Sequence, residues 1–153
     1  MVVRREANGK WNLLHKKKFE LETPYATVIG YMKKLNTNWH IRKWLVDATG
    51  VGDYVVEDMK NVGLTVEGMN LTLPAKEEIA TNMRQIMKTR QLEIPYDPEL
   101  IEELNVERFE LTREGKVKFS HPENTNDDLF WALALALFAA KEKPEPKGII
   151  IKI

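Results

Sequence analysis

The hydrophobic pattern of this chain changes period several times, and each change marks an element. "MVVRREANGKWNLLHKKKFEL" reads as a β-hairpin, with Val2 and Val3 opening one strand, "ANGK" supplying an Asn-Gly turn, and Trp11 to Leu21 forming the second strand. "TPYATVIGYMKKLNTNW" has helical spacing: Val28, Met32 and Leu35 share a face, Thr23 is a candidate N-cap and Pro24 suits the first helical position. "IRKWLVDATGVG" follows. Its strand, Ile41 to Val46, is short and apolar throughout, which predicts a buried parallel strand running into Asp47 and a turn with Gly50 and Gly52. A helix from about Asp53 to Asn61 should stop at Gly63.

"LTVEGMNLT" predicts another strand, and "PAKEEIATNMRQIMKTRQL" a long helix with Ile79, Met83, Ile86 and Met87 on one stripe. "EIPYDPELIEEL" predicts a short extended piece and a helical turn. "RFELTREGKVKFSHP" is expected to form a hairpin turning at Arg113–Gly115. A very apolar helix and a last strand, "GIIIKI", complete the chain. Strands alternating with helices after an antiparallel start predict one α/β domain over residues 1–153 with a mixed sheet, and there is no internal repeat.

The apolar helix raises a question of its own. In "NTNDDLFWALALALFAA", two adjacent aspartates, Asp127 and Asp128, open a helix on which Leu129, Leu133 and Leu137 stack. Acidic residues in a first turn complement the helix dipole by about 0.3–1 kcal/mol, which is a sufficient reason for one of them. Thr125 or Asn126 is available as N-cap, however, and adjacent carboxylates repel unless a cation lies between them. The small alanines suit close packing against a sheet.

Composition narrows the chemistry. With no cysteine among 153 residues, disulfides, thiol catalysis and cysteine-based zinc sites are excluded. The longest apolar run, Leu129 to Ala140, is too short for a bilayer, which takes about 20 residues, and no signal segment opens the chain. A cytoplasmic protein with no membrane partner is the expectation. Net charge is zero, but residues 1–60 hold 11 basic against 7 acidic side chains and residues 61–153 hold 12 against 16. The first half is therefore the candidate basic face.

Ligands in open α/β sheets bind beyond the carboxyl ends of parallel strands, where Asp47 sits. Asp47, Asp127 and Asp128 together would form an oxygen cluster suited to hard divalent cations. Two such cations roughly 3.5–4 Å apart are the arrangement that cuts phosphodiester bonds. The bland alternatives are a turn aspartate and two helix-mouth aspartates. His15, His40 and His121 lack metal-ligand spacing, and only His121 is near enough in sequence to support the aspartates. Lys16, Lys17 and Lys18 in "HKKKF" suit a solvated strand edge, or phosphate contacts together with Lys33, Lys34, Arg42 and Lys43. No phosphate-binding G-x-x-x-x-G-K-[ST], G-x-S-x-G or H-E-x-x-H motif occurs.

The stretches "WLVDATGVGDYVVEDMKNVG", "LTLPAKEEIATNMRQIMKTRQLEIP" and "NDDLFWALALALFAA" resemble the nuclease domain of viral large terminase subunits. The resemblance implies a ribonuclease H-like fold with an extra C-terminal hairpin. It implies a two-metal endonuclease using Mg²⁺ or Mn²⁺ that cuts concatemeric double-stranded viral DNA for packaging. The family works with an ATPase domain, a small terminase subunit and a portal, in the host cytoplasm or from a provirus. The resemblance carries metal-ligand and catalytic roles to Asp47 and to the Asp127–Asp128 pair, and it matches Lys76 and "L-x-I-P" at Leu92 to Pro95 in order and spacing.

Two departures set expectations. Asn126 stands where family members often have histidine. Members also open with a strand bearing the first catalytic aspartate, whereas "MVVRRE" corresponds to their second strand, and Glu6 is too far along and on the wrong strand to substitute. The resemblance therefore implies a gap between the hairpin and the Asp47 strand, an incomplete acidic set and weak or no cutting by this stretch alone. A fragment, a decayed gene or a late start would each account for it. The alternatives are a non-catalytic DNA-binding or assembly module of the same fold, and a junction-resolvase-like nuclease.

Overall fold

The computed structural model describes residues 1–50, 52–111, 113 and 117–141. The expected last strand, "GIIIKI", and most of the Arg113–Gly115 turn lie outside the described residues. The elements run β1 (Val2–Arg5), β2 (Trp11–His15), α1 (Tyr25–Trp39), β3 (Trp44–Asp47), α2 (Gly52–Asn61) and β4 (Val66–Met69). They continue with α3 (Leu73–Lys88), β5 (Leu92–Glu93), α4 (Pro98–Val106), β6 (Arg108–Leu111), β7 (Val117–Ser120) and α5 (Asp128–Ala139). The expected order is present, as a mixed α/β fold.

β1 and β2 pair antiparallel across a turn in which Gly9 takes φ +87°, a left-handed conformation that glycine adopts without steric cost. β2 ends at His15, short of the expected Leu21. The backbone leaves the ladder there because the following lysines turn toward acidic groups at the start of α4. "HKKKF" is thus not a strand edge. β5 adds to β2 in parallel, with Trp11 opposite Leu92. β3 and β4 form a separate parallel pair with Asp47 opposite Met69, and β6 and β7 form the expected hairpin. α1 starts one residue later than its pattern suggested, with Pro24 in place of Thr23 at the N-cap. α4 is a nine-residue helix rather than a turn: the Asp97 side chain accepts from the Leu100 amide at 3.1 Å and Pro98 takes the first position.

Two hydrophobic clusters lie on opposite faces of β3. The larger joins α3, α4 and α5 with β2 through Ile79, Met83, Leu100, Leu133 and Leu137, and Leu45 of β3 packs against it. The smaller joins α1 and α2 through Met32, Val55 and Met59, and Trp44 and Val46 of β3 pack against that. Gly68 on β4 lets α2 approach closely, since a Cβ there would stand 3.0 Å from Val56 Cγ2. On α3 the buried stripe is Ile79, Ala80, Met83 and Ile86, while the expected fourth member, Met87, is 41% exposed.

Among the described residues β1 pairs only with β2, and β3 only with β4. Residues of both strands line one groove of about 1780 Å³. β3 is therefore parallel as expected but only half-buried, with a strand against one of its edges among the described residues. α5 closes one side of this groove, and it is apolar all round, as helices enclosed by protein are.

Leu133 on α5 is fully buried in the larger cluster, so Leu133→Ala should cost about 3–5 kcal/mol in urea denaturation. Leu21→Ala, at a position 96% exposed, should stay within about 0.5 kcal/mol.

Candidate active site

The hydrogen bonds at the mouth of α5 show which side chain caps the helix. Asp127 occupies the N-cap position, yet its side chain makes no capping hydrogen bond. A buried carboxylate from α4 takes that role: Glu103 Oε2 accepts from the Leu129 amide at 2.6 Å and from the Phe130 amide at 3.2 Å. Neither Thr125 nor Asn126 caps the helix. The Thr125 hydroxyl donates instead to the Pro122 carbonyl at 2.7 Å. An anion at this helix terminus is stabilised by the partial positive charge of the free amides. Only 4% of Glu103 is exposed, and the sequence marks it only by its i, i+3 spacing from Leu100 on the helix face.

Relieved of capping, Asp127 and Asp128 face the groove that Asp47 lines from the end of β3. Asp127 Oδ2 accepts from the Trp131 indole nitrogen at 2.7 Å, one helical turn on, and His121 Nε2 lies 3.9 Å from the same oxygen. His121 is thus near Asp127, as its sequence proximity suggested. Asp128 is exposed on the groove. Asp47 Oδ1 accepts from the Thr49 amide at 2.9 Å and the Thr49 hydroxyl at 2.6 Å, while Thr49 Oγ1 accepts from the Leu71 amide at 2.8 Å. Lys76 also lines the groove, its ammonium 4.7 Å from the centre of the Trp131 ring. Trp131 therefore connects the Asp127 carboxylate to the Lys76 charge.

Glu107, which follows α4, is a further acid that the sequence did not single out. Both its carboxylate oxygens are buried without a hydrogen-bond partner among the described residues. Burial, and after it the Asp127 charge, push its carboxyl above the usual carboxylate range, against the opposing pull of His121 and Lys76.

Of the lysines in "HKKKF", Lys16 pairs with Asp97 at 2.5 Å and Glu99 at 3.2 Å, and Lys18 pairs with Glu99 at 2.5 Å. These pairings raise both ammonium groups' proton affinity, through the hydrogen bond to Asp97 in Lys16 and to Glu99 in Lys18. Lys17 lines the groove, with its ammonium 5.6 Å from the centre of the Phe19 ring. His15 is drawn into an aromatic cluster, 2.7 Å from the Tyr31 hydroxyl.

Oxygen donors of this kind suit a hard divalent cation. The three aspartates share one groove, but no three acidic or histidine groups converge on one point among the described residues. The donor chemistry fits such a cation, and the ligand set in these elements is open rather than closed.

No family model matches the chain. It is 28% identical over 118 residues to the large terminase subunits of Thermus phage G20c and Thermus virus P23-45. That alignment covers 73% of this chain, and the chain spans only 23% of the relatives' length. The large terminase nuclease of thermophilic phage G20c, solved with bound magnesium, superposes with a TM-score of 0.68 at 23% identity, over 76% of this chain and 62% of that one. The nuclease domain of the Thermus phage P74-26 large terminase gives 0.64 at 21% identity, over 74% and 59%. The fold is that of the large terminase nucleases, which is ribonuclease H-like. The resemblance read from three stretches of sequence is met again in both comparisons.

Two outcomes test the wiring of the site. Glu103→Ala should cost about 2–4 kcal/mol in denaturant, since it strands one buried and one half-buried amide, whereas the exposed neighbour Glu102→Ala should be nearly silent. A raised Glu107 carboxyl means the folded state binds a proton that the unfolded state releases, so its contribution to stability falls as pH rises above the ordinary glutamate range. Glu107→Gln should therefore raise Tm near neutral pH, with the gain shrinking toward about pH 4. A lower Tm at neutral pH would show that the carboxylate has a favourable partner.

Proposed function

We propose that this chain is the nuclease part of a terminase large subunit, a divalent-metal-dependent endonuclease acting on double-stranded DNA. The observation that carries this reading is the release of Asp127 and Asp128 from capping by Glu103, which leaves them on the same groove as Asp47. Asp47, Asp127 and Asp128 are the residues that would hold Mg²⁺ or Mn²⁺. A bound cation of this kind supplies Lewis-acid activation of water and of a phosphate oxygen.

The chain's own groups prepare for such a substrate. The Trp131 indole fixes the Asp127 carboxylate, and the Thr49 amide and hydroxyl fix that of Asp47, so neither has to be ordered when substrate arrives. Lys76 brings a positive charge to the groove, where a scissile phosphate is negative. Lys17 extends that charge along the groove wall, while Lys16 and Lys18 would have to give up Asp97 and Glu99 to reach DNA. In the whole protein the expected setting is the cutting of concatemeric viral DNA in the host cytoplasm, with an ATPase domain, a small terminase subunit and a portal as partners.

A second reading, a DNA-binding or assembly module without catalysis, is favoured by the open ligand set. Supercoiled plasmid separates the two. The nuclease reading expects nicking or linearisation with Mn²⁺ or Mg²⁺, abolished by chelation and by Asp47→Asn or Asp127→Asn, and slowed about 10²-fold by Lys76→Met. Binding of the plasmid without cutting, under either cation, would leave the module reading standing.

A further inference from the structure

The wall that α1 and the end of β2 give the groove differs from the wall that carries the aspartates. Among the described residues, its lining from Leu14 to Trp44 includes no aspartate or glutamate, while Lys17 and Arg42 bring positive charge to it. Four rings share that wall: His15, Phe19, Tyr31 and Trp39. α1 repeats large residues at helical spacing, Tyr31, Leu35 and Trp39, on the face that lines the groove, and the chain leaving β2 lays His15 and Phe19 against it. His15 Nε2 lies 2.7 Å from the Tyr31 hydroxyl, and the imidazole meets the Trp39 ring edge-on with centroids 5.5 Å apart. Phe19 meets Tyr31 edge-on, also at 5.5 Å, and the Lys17 ammonium stands 5.6 Å from the centre of the Phe19 ring.

Packing accounts for only part of this arrangement. The His15–Tyr31 contact joins the hairpin to α1, whereas Trp39 keeps 43% of its surface exposed although His15 already sets its orientation. A large exposed ring held in place, beside cations and with no acid in the wall, has the chemistry that captures unpaired bases: a base stacks on the ring and the phosphates meet the cations. A paired duplex cannot use such a ring, because its bases already stack on one another and offer only their edges and backbone. We propose that this wall binds a single strand of DNA, through stacking of an unpaired base on Trp39, with Tyr31 and Phe19 beside it and Lys17 and Arg42 on the phosphates. The proposal rests on the nuclease reading and extends it, since the rings and the three aspartates line one groove and an end opened beside the aspartates supplies unpaired bases. Its scale fits a short stretch of strand. Tyr31 and Trp39 are separated on α1 by roughly 12 Å of helix, which is about three to four nucleotides at 3.4 Å each.

Fluorescence anisotropy of a labelled oligothymidylate of about ten nucleotides tests the assignment, with EDTA present so that neither metal nor cutting contributes. The full chain should bind it, Trp39→Ala should weaken binding about 10- to 100-fold, and Trp39→Phe should recover most of the loss. Lys17→Ala and Arg42→Ala should each lower the salt slope of the binding constant by about 0.7, the mark of one phosphate contact on a single strand. The oligonucleotide should also quench tryptophan fluorescence in the wild-type chain and less so in Trp39→Phe, which reads the stacking even if Trp39→Ala fails to fold. No binding of oligothymidylate at low salt overturns the proposal. So does unchanged binding by Trp39→Ala, or an equal loss of affinity for a blunt duplex in that variant. Tighter binding of oligouridylate overturns the assignment to DNA. Plasmid cutting by a chain that does not bind the oligonucleotide removes this proposal and leaves the nuclease reading, whereas binding that depends on Trp39 without cutting does the reverse.

Discussion

The arrangement of this molecule turns on one buried carboxylate. α5 is the most apolar helix among the described residues, and its first turn passes from the exposed Asp128 to the buried Leu129, whose amide cannot be left to water. Glu103 reaches from α4 and accepts from this amide and from that of Phe130. That contact joins the two helices at the point where the candidate site begins. It also explains a pair of aspartates that helix stability alone does not require. With the amides taken by Glu103, the Asp127 side chain is available to the Trp131 indole, and Asp128 remains on the open groove.

The consequence is a site assembled from two structural systems. Asp47 belongs to β3, which lies between the two hydrophobic clusters, whereas Asp127 and Asp128 belong to a helix anchored wholly in the larger one. Trp131 serves both packing and polar roles: its ring packs edge-on to Phe119 with centroids 5.1 Å apart, its indole nitrogen holds Asp127, and its face carries the Lys76 ammonium. A large aromatic side chain thus fixes two charged groups of opposite sign with one rotamer. The β6–β7 hairpin, through Phe119, is what holds that rotamer from outside.

Much of this was legible in the sequence, and where it was not the reasons are local. Elements with strong period or strong punctuation emerged near their expected places: the Asn-Gly hairpin, the long α3 and the Ala-Leu helix. Their ends moved where a tertiary partner overrode the local pattern. β2 stops at His15 because Lys16 and Lys18 are drawn to Asp97 and Glu99, residues some 80 positions away that no window reading connects. Glu103 and Glu107 look like ordinary surface glutamates on an acidic helix, and only burial distinguishes them. Asp47, Asp127 and Asp128 were readable as candidates because strand ends and helix mouths carry positional meaning, and the three line one groove. Their distances from one another were not, since these depend on how the sheet closes.

That dependence explains the open ligand set without appeal to any defect in the aspartates. The separation of Asp47 from the mouth of α5 rests on the packing of Leu45 of β3 against the cluster that holds α5, since among the described residues β3 has a strand partner on one edge only. A sheet braced on one side holds the spacing of its strands but not the position of its free edge relative to a helix across a groove. A strand seated between β1 and β3 would tie β3 through backbone hydrogen bonds to the hairpin whose Trp11 and Leu13 are buried in the same cluster as α5. The two halves of the candidate site would then share one rigid frame.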